Sequence, residues 1–313
     1  PSQVKTLILT NRGRMSSLDG EAQTSALMSK LHQLADAPQV KGLVVQVEDN
    51  AAVAEAYDKW LASQSSLLDV SLANSVASAV RNLTLSLLSQ HALVEYIVIV
   101  GSDQVIPFWR EPEGNLCGSG IDALVNGQCK EEVYADDVTP NTPLWAALHN
   151  NMSLTDNYYA DRQPEPWKEN TTLYLPDYAL GRLVEQPGEI IGEIDAYLSD
   201  DLLDVSRALV TGYDFVRDGG EDIARVLRND LGANAVDGAL IAASWTGDQL
   251  RDKQLNANPR FDLQSINGHS QHTAAGAPDH DDILASEVAG AASNLSGALI
   301  FSVGCHAGLN DSG

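Results

Sequence analysis

The sequence predicts an α/β fold with a mostly parallel sheet, and two patterns lead to that prediction. Short apolar runs alternate with stretches of helical spacing, which is typical of a parallel sheet covered by helices on both faces. The run 96–101 is continuously apolar, as a strand buried on both faces should be. The 313 residues, 44% of them hydrophobic, are enough to bury a large core.

The individual elements follow from the spacing of apolar residues. Strands are predicted at 6–10, 42–47, 96–101, 208–212, 238–242, 261–266 and 298–303. Helices are predicted at 21–35, 54–61, 73–88, 187–198, 221–231 and 283–292. The segment 107–177 interrupts this rhythm with Pro, Asn, Asp, Gly and Tyr, and we interpret it as a loop-rich insertion. We expect one domain over 1–313.

Charge limits the classes of partner. The chain has 19 Lys and Arg against 43 Asp and Glu, a net charge of −24. Phosphate binding needs a positive surface, so nucleic acid and anionic membranes are disfavoured as partners. No apolar run approaches the ~18 residues of a membrane helix. A cationic substrate is weakly favoured, and the plainer explanation is an acidic surface that maintains solubility.

Three cysteines divide into a pair and a single residue. Cys117 and Cys129 lie twelve residues apart in a Gly- and Asn-rich stretch. They could close a local disulfide, which would fit an extracytoplasmic or secreted protein, or they are two unpaired loop thiols. Cys305 follows the last predicted strand. It is either a candidate nucleophile or a buried structural cysteine.

Reactive side chains follow three of the predicted strands. Asp214, His269 and Cys305 each come just after an apolar run. Parallel strands place their carboxyl ends at one edge of the sheet, where working residues collect. An imidazole can take the proton of a thiol, and a carboxylate can orient the imidazole. The pattern therefore predicts a Cys-His-carboxylate site.

Acyl transfer at such a site also needs N–H donors for the oxyanion. We expect these donors to be the amides of Ser270 and Cys305. Gly268 and Gly304 precede the candidate His and Cys and allow sharp turns there.

Five segments together resemble the gingipain-like cysteine peptidases of family C25, within the caspase-like clan CD. They are VIVGSD with IP over 98–107, TDNYYAD over 155–161, LPDYALGRL over 175–183, NGH over 267–269 and VGC over 303–305. The resemblance covers about residues 96–306 and implies a caspase-like three-layer sandwich.

The resemblance also implies roles for individual residues. Cys305 would be the nucleophile and His269 the general base and acid, supported by Asp214. Asp222 falls near the acidic residue with which arginine-specific members bind the P1 side chain. P1 Arg would then be preferred over Lys, because a guanidinium can bind a carboxylate with two hydrogen bonds. The predicted partner is a peptide or protein substrate.

Two departures from the family pattern concern the site and its ions. Ser270 stands where the family usually has Gly, and its side chain would narrow the cleft. The Asp-rich calcium-binding turn after the Tyr-Tyr motif is replaced by RQPEP over 162–166. Calcium is therefore not expected at this turn. The prediction is no cofactor, with a calcium ion left open as an alternative at an unlocated position.

The family's sheet and pocket continue beyond the nucleophile, whereas this sequence stops at Gly313. We therefore expect the domain to be incomplete at its C-terminal side, with a second chain from the same precursor as a partner.

Three alternatives remain open at this point. His269, His272, His280 and His306 with Asp279 and Asp281 could suggest zinc, although their spacing matches no compact zinc motif. A second alternative is a catalytically inactive caspase-like domain that serves as a binding or scaffold module. A third is a transpeptidase, because an amine can resolve an acyl-enzyme as well as water can.

Overall fold

The computed structural model describes residues 3–112, 124–125, 128–129, 134–135, 138–167, 171–199, 204–271 and 273–304. These residues divide into two compact units, one up to Ile194 and one from Asp195 onward. Each unit contains its own four-stranded sheet.

The first unit is built on a parallel sheet with the strand order β10-β3-β1-β2. Its central strand β1 is buried along its whole length, which explains the apolar run Leu7–Leu9 between its terminal threonines. The strands of this unit are β1 Thr6–Thr10, β2 Gly42–Gln46, β3 Tyr96–Val100, β4 Trp109–Pro112, β5 Leu124–Val125, β6 Gln128–Cys129, β7 Met152–Thr155, β8 Glu165–Pro166, β9 Thr172–Leu173 and β10 Ala179–Leu183.

Several helices of the first unit begin at side-chain caps that the sequence supplies. Asn50 and Asp69 accept hydrogen bonds from backbone N–H groups of the first turns of α3 Ala51–Trp60 and α5 Val70–Gln90. The other helices are α1 Arg12–Asp19, α2 Glu21–Asp36, α4 Gln64–Leu67, α6 Pro143–His149 and α7 Asn157–Ala160, and α8 Pro187–Ser199 crosses the boundary between the units in the sequence.

The segment predicted as an insertion contains short elements, and a buried ion pair links it to Asp103. Within it, β4 pairs with β7 in an antiparallel ribbon. Arg110 Nη2 lies 2.6 Å from Asp103 Oδ2, and both side chains are almost fully buried. Separating the two side chains would leave uncompensated charges in the interior. The pair therefore holds the start of this segment in place.

The second unit is built on a parallel sheet with the strand order β12-β11-β13-β17. Its strands are β11 Ala208–Gly212, β12 Val236–Ile241, β13 Leu263–Ile266, β14 Ser270–Gln271, β15 Ala274–Ala275, β16 Ile283–Leu284 and β17 Leu299–Ser302. Strands β14, β15 and β16 form a small antiparallel sheet that follows the carboxyl end of β13.

Helices cover both faces of this second sheet. Ala208 and Val210 point to one face and pack with Ala224 of α9 Arg217–Leu231. Leu209 points to the other face, where it joins a cluster that includes Leu250 of α10 Gly247–Gln254. The remaining helices are α11 Ala285–Gly290 and α12 Ala292–Leu295. The unit is therefore a three-layer α/β sandwich, as the sequence predicts.

Most of the predicted elements are confirmed within a few residues. The predicted helix 283–292 is wrong in its first turn, because Ile283 and Leu284 form β16 and pair with β15. Helices α1 and α10 lack a strong apolar period and are missed by the sequence reading. Over the described residues, no helix combines the length and apolar character that crossing a bilayer requires.

Candidate active site

Asp214 lies just beyond the carboxyl end of β11, where the chain turns sharply. Tyr213 is still extended, with φ −144° and ψ 168°. Asp214 has a φ of 53°, in the left-handed region that Asp adopts more readily than most residues. This conformation ends the extended run of β11 and begins the short helical turn Asp214–Val216.

His269 lies beyond the carboxyl end of the neighbouring strand β13, and a buried asparagine holds the backbone that leads to it. Asn267 donates from its side-chain amide to the Thr211 carbonyl at 2.9 Å. Its backbone N–H donates to the Thr211 hydroxyl at 3.0 Å. Both side chains are buried, so these bonds are shielded from water and hold the ends of β11 and β13 together.

The two candidate residues are in contact. Nε2 of His269 lies 3.3 Å from Oδ2 of Asp214. Their side chains are 57% and 66% exposed, so the pair faces solvent and is accessible to a substrate. The ring of Phe215 lies 5.1 Å from the imidazole, between centroids, on the exposed side of the turn. The structure therefore brings the imidazole of His269 and the carboxylate of Asp214 into contact.

Strand register aligns three positions that precede the candidate residues by the same number of residues. Val210 is opposite Ser265, and Ser265 is opposite Phe301. Asp214, His269 and Cys305 each come four residues after one of these three positions. Cys305 itself lies outside the described residues, but Gly304 is described.

The backbone at Gly304 packs closely against the residue that follows His269. A Cβ atom at Gly304 would lie 1.7 Å from Ser270 Oγ and 3.2 Å from the Gly268 carbonyl oxygen. The chain therefore arrives beside the His269 segment one residue before Cys305. Ser270 begins β14, and its side chain occupies the space against Gly304.

A cavity of about 540 Å³ opens beside the pair, within the size range of ligand sites. Asp214 and His269 line it together with Arg217, His280 and Asp282. The loop that carries His280 and Asp282 is tied in place, because the Ala277 N–H donates to Asp282 Oδ1 at 3.1 Å. The cavity thus presents charges of both signs around an exposed imidazole.

Arg251 anchors the same loop from α10. Its guanidinium binds the carboxylates of Asp281 and Glu287 at 2.6 and 2.7 Å and the Asp282 carbonyl at 2.9 Å. Hydrogen bonds to Glu287 and Asp281 raise the pKa of Arg251, and the bond from Arg251 lowers the pKa of Glu287. These contacts keep the cavity wall in one arrangement.

Asp222 is not among the residues that line this cavity. It lies in α9, where its carboxylate is 2.7 Å from Arg225 and is largely exposed. A P1 guanidinium would therefore have to replace Arg225 as its partner.

The predicted disulfide and the metal alternatives fall partly outside the described residues. Cys117 is outside, and Cys129 is described only as a backbone position of β6. In the described parts of the chain, no group of three or more His, Cys, Asp and Glu side chains is arranged to hold a metal ion. His272 and His306 of the zinc alternative are outside the described residues.

Sequence reasoning missed three residues of the site. Tyr213 lies beneath His269, and Asp282 and Arg217 line the cavity. Tyr213 directly precedes Asp214 and Arg217 follows it by three residues, and this nearness in the sequence is the signal that could have found them. Asp282 is brought to the cavity only by the small β14-β15-β16 sheet, so nothing local in the sequence indicates it.

Comparisons with known proteins give no sequence match. No protein-family model matches the chain, and a search of curated proteins finds no significant relative.

Solved structures, in contrast, do match. The crystal structure of the Arg-specific cysteine proteinase gingipain R is 13% identical, with a TM-score of 0.50 over 98% of this chain and 56% of that chain. A structure described as a protease is 14% identical, with a TM-score of 0.52 over 97% of this chain and 52% of that chain. A complex of Porphyromonas gingivalis RgpB pro- and mature domains also matches, at 15% identity and a TM-score of 0.49, over 96% of this chain and 55% of that chain.

This chain spans about half the length of the solved chains it matches. At 13–14% identity, the similarity is evidence of a shared fold only. The described residues therefore adopt the α/β fold of the gingipain cysteine proteinases, as the sequence resemblance implies.

Proposed function

We propose that this protein is a cysteine endopeptidase in which Cys305 is the nucleophile and His269, assisted by Asp214, is the general base and acid. The observation that carries the proposal is the His269–Asp214 contact of 3.3 Å beside the backbone of Gly304. The shared register of the three positions and the gingipain-type fold support it further.

The proposed reaction follows from these positions. Because Nε2 of His269 faces Asp214, Nδ1 is the atom that would exchange a proton with the thiol. The Cys305 sulfur attacks the scissile carbonyl carbon, and the amides of Ser270 and Cys305 donate to the oxyanion. The C–N bond then breaks as the imidazolium gives its proton to the leaving amine. A water molecule, deprotonated by His269, then attacks the thioester carbonyl; the C–S bond breaks, the acid is released, and the imidazolium returns its proton to the Cys305 sulfur.

Selection of basic P1 residues, with Arg over Lys, is a finer part of the proposal and assigns Asp222 to the pocket. Its support is the position of Asp222 in α9, the helix that begins three residues after Asp214. Secretion and maturation into two chains also belong to the proposal. The exposed apolar side chains of β17, among them Leu299 and Phe301 at 54% each, would suit a second chain covering this edge strand.

The competing function is a binding or scaffold module with no catalysis. The observation that favours it is the Ser270 side chain, which fills the space against Gly304 at the position proposed for the oxyanion donors.

One experiment separates these functions. The wild type and Cys305→Ala are incubated with fluorogenic peptides that differ only at P1, and the same samples are read by intact mass. Cleavage that is lost in Cys305→Ala is the expected result, with Arg and Lys preferred at P1. Absence of cleavage together with absence of labelling by a thiol-directed chloromethyl ketone would overturn the peptidase and favour the binding module.

A further inference from the structure

Tyr213 lies directly beneath the His269–Asp214 pair and is held there by the core. It is 7% exposed and belongs to the cluster between the sheet and α10. Its ring meets Trp245 edge to face, with 5.2 Å between centroids. It meets the imidazole of His269 in the same manner at 5.8 Å. The core thus fixes the ring that supports the candidate base.

The Tyr213 side chain also contacts the backbone on both sides of His269. The His269 N–H donates to the Tyr213 hydroxyl at 3.3 Å. A Cβ at Gly268 would lie 2.5 Å from Cε1 of the ring, so only glycine allows this approach. A Cβ at Gly276 would lie 3.1 Å from the hydroxyl, and the Gly276 N–H donates to the His269 carbonyl at 2.8 Å. The hydroxyl therefore lies between the two backbone segments that hold His269.

The same residue determines where Asp214 points. Tyr213 is extended and Asp214 is left-handed, so the chain reverses between them. The Tyr213 side chain goes into the core beneath the imidazole, and the Asp214 carboxylate returns to Nε2 from the solvent side. One peptide unit thus links the buried support of His269 to its exposed partner.

The ionisation of the hydroxyl is consistent with this arrangement. Burial raises the pKa of Tyr213 by more than the hydrogen bond from the His269 N–H lowers it, and the charges of Asp282 and Asp214 add to the increase. The hydroxyl therefore stays neutral at physiological pH, and it can accept from the His269 N–H without placing a charge beneath the imidazole. The other charged or titratable side chains lining the cavity beside the imidazole are Arg217 and His280.

We propose that Tyr213 is a positioning residue of this centre. It sets the position and orientation of the His269 ring, so that the imidazole contacts both Asp214 and the thiol. This inference rests on the proposed peptidase function. It adds a residue that acts through His269 and does not itself touch the substrate.

The test is Tyr213→Phe, which keeps the ring and removes the hydroxyl. The matched control is Tyr57→Phe, because Tyr57 is equally buried and its hydroxyl donates to the Val105 carbonyl at 2.5 Å in the other unit. Turnover should fall about 10-fold in Tyr213→Phe, with KM within about twofold of the wild type, since one neutral hydrogen bond is worth roughly that factor. Tyr57→Phe should change neither constant.

A purely structural role would not alter how the site titrates, so the rate of Cys305 alkylation is measured against pH. A misplaced imidazole stabilises the thiolate less, and the acidic limb of the profile should move to higher pH in Tyr213→Phe. The effect of Tyr213→Phe should also be smaller when Asp214→Asn is already present, because both act through His269. An unmoved profile, or fully additive effects, would overturn the inference.

The nitrogen chemical shifts of the His269 imidazole provide a readout that does not need turnover. They should change in Tyr213→Phe and stay constant in Tyr57→Phe, and identical spectra would reject the positioning role. An inactive wild type that Cys305 reagents do not label would reject the peptidase instead. The failure of the inference and the failure of the proposed function are thereby distinguished.

Discussion

The alpha carbon of Gly304 lies against the side chain of Ser270, so closely that a Cβ on Gly304 would be 1.7 Å from Ser270 Oγ. The Gly304 N–H donates to the Ser302 hydroxyl at 3.2 Å, which directs the chain out of β17. The contact between Gly304 and Ser270 joins the segment that leads to Cys305 with the segment that carries His269. It also explains why a glycine precedes the candidate nucleophile, although its φ is not in the left-handed region.

Gly304→Ala is expected to disturb both stability and activity, because the added methyl overlaps Ser270. Overpacking of this kind costs about 1–3 kcal/mol. The double variant Ser270→Gly/Gly304→Ala should recover much of the loss, because the overlapping hydroxyl and its Cβ are gone. Thermal unfolding and peptide cleavage measure the two effects. A Gly304→Ala protein that matches the wild type in both would contradict the contact.

Asp214→Asn is expected to lower turnover by no more than about 10-fold, because an exposed charge pair contributes only ~0–1 kcal/mol. His269→Ala removes the general base itself and should lower turnover by at least about 100-fold. Asp230→Asn, an exposed carboxylate on α9, is the control that should have no effect. Equal losses in Asp214→Asn and His269→Ala would mean that the carboxylate does more than orient the imidazole.

Asp222→Asn tests the assignment of the P1 pocket. If Asp222 binds the P1 guanidinium, kcat/KM for Arg peptides should fall about 10- to 100-fold relative to peptides with a neutral P1, as for a charge-assisted pair. The rate of Cys305 labelling should stay the same. Unchanged selectivity in Asp222→Asn, with a loss in Asp282→Asn, would move the role to the carboxylate that lines the cavity beside His269.

Alkaline pH should destabilise the first unit through two buried tyrosines. Burial is the main cause that raises the pKa of Tyr57 and of Tyr159. The folded protein therefore keeps these protons above pH ~10, where the unfolded chain loses them. Their contribution is fully present below that pH and is lost as pH rises, at about 1.4 kcal/mol per pH unit for each residue.

The measurement is the free energy of unfolding in urea from pH ~9 to ~11 for the wild type and Tyr57→Phe. The slope difference between the two proteins should be near zero at pH ~9 and approach about 1.4 kcal/mol per pH unit above pH ~10, with the smaller slope in the variant. Lysines and exposed groups titrate equally in both proteins and cancel in the difference. The same slope in both would mean that Tyr57 ionises in the folded state as easily as in the unfolded chain.

Much of the second unit was predictable because its strands are local apolar runs. The run at β11 is buried on both faces, and a short continuous apolar run is the pattern that predicts such a strand. Asp214 and His269 follow such runs directly, so the rule that parallel strands end at one edge was enough to place them together. Their contact of 3.3 Å confirms the proximity that the sequence predicts.

The elements that the sequence did not reveal lack a local signal. Ile283 and Leu284 fit a helical period, and only pairing with Ala274 and Ala275 makes them a strand. The sequence likewise gave no reason to divide the sheet, whereas the described strands form two separate four-stranded sheets. Strand β16 and the division into two sheets depend on pairing partners that are distant in the chain. Local composition does not indicate which strands pair with each other.

By itself, the sequence determined the fold class, the parallel strands and the residue types at the edge of the second sheet, because burial periodicity and strand direction are encoded locally. Only the tertiary structure decided that Tyr213 supports His269 from the core, that Asp282 lines the cavity and that Ser270 presses on Gly304. The physical reason is that these contacts depend on register and close packing between segments up to 56 residues apart, and distances of a few tenths of an ångström determine which atoms can meet.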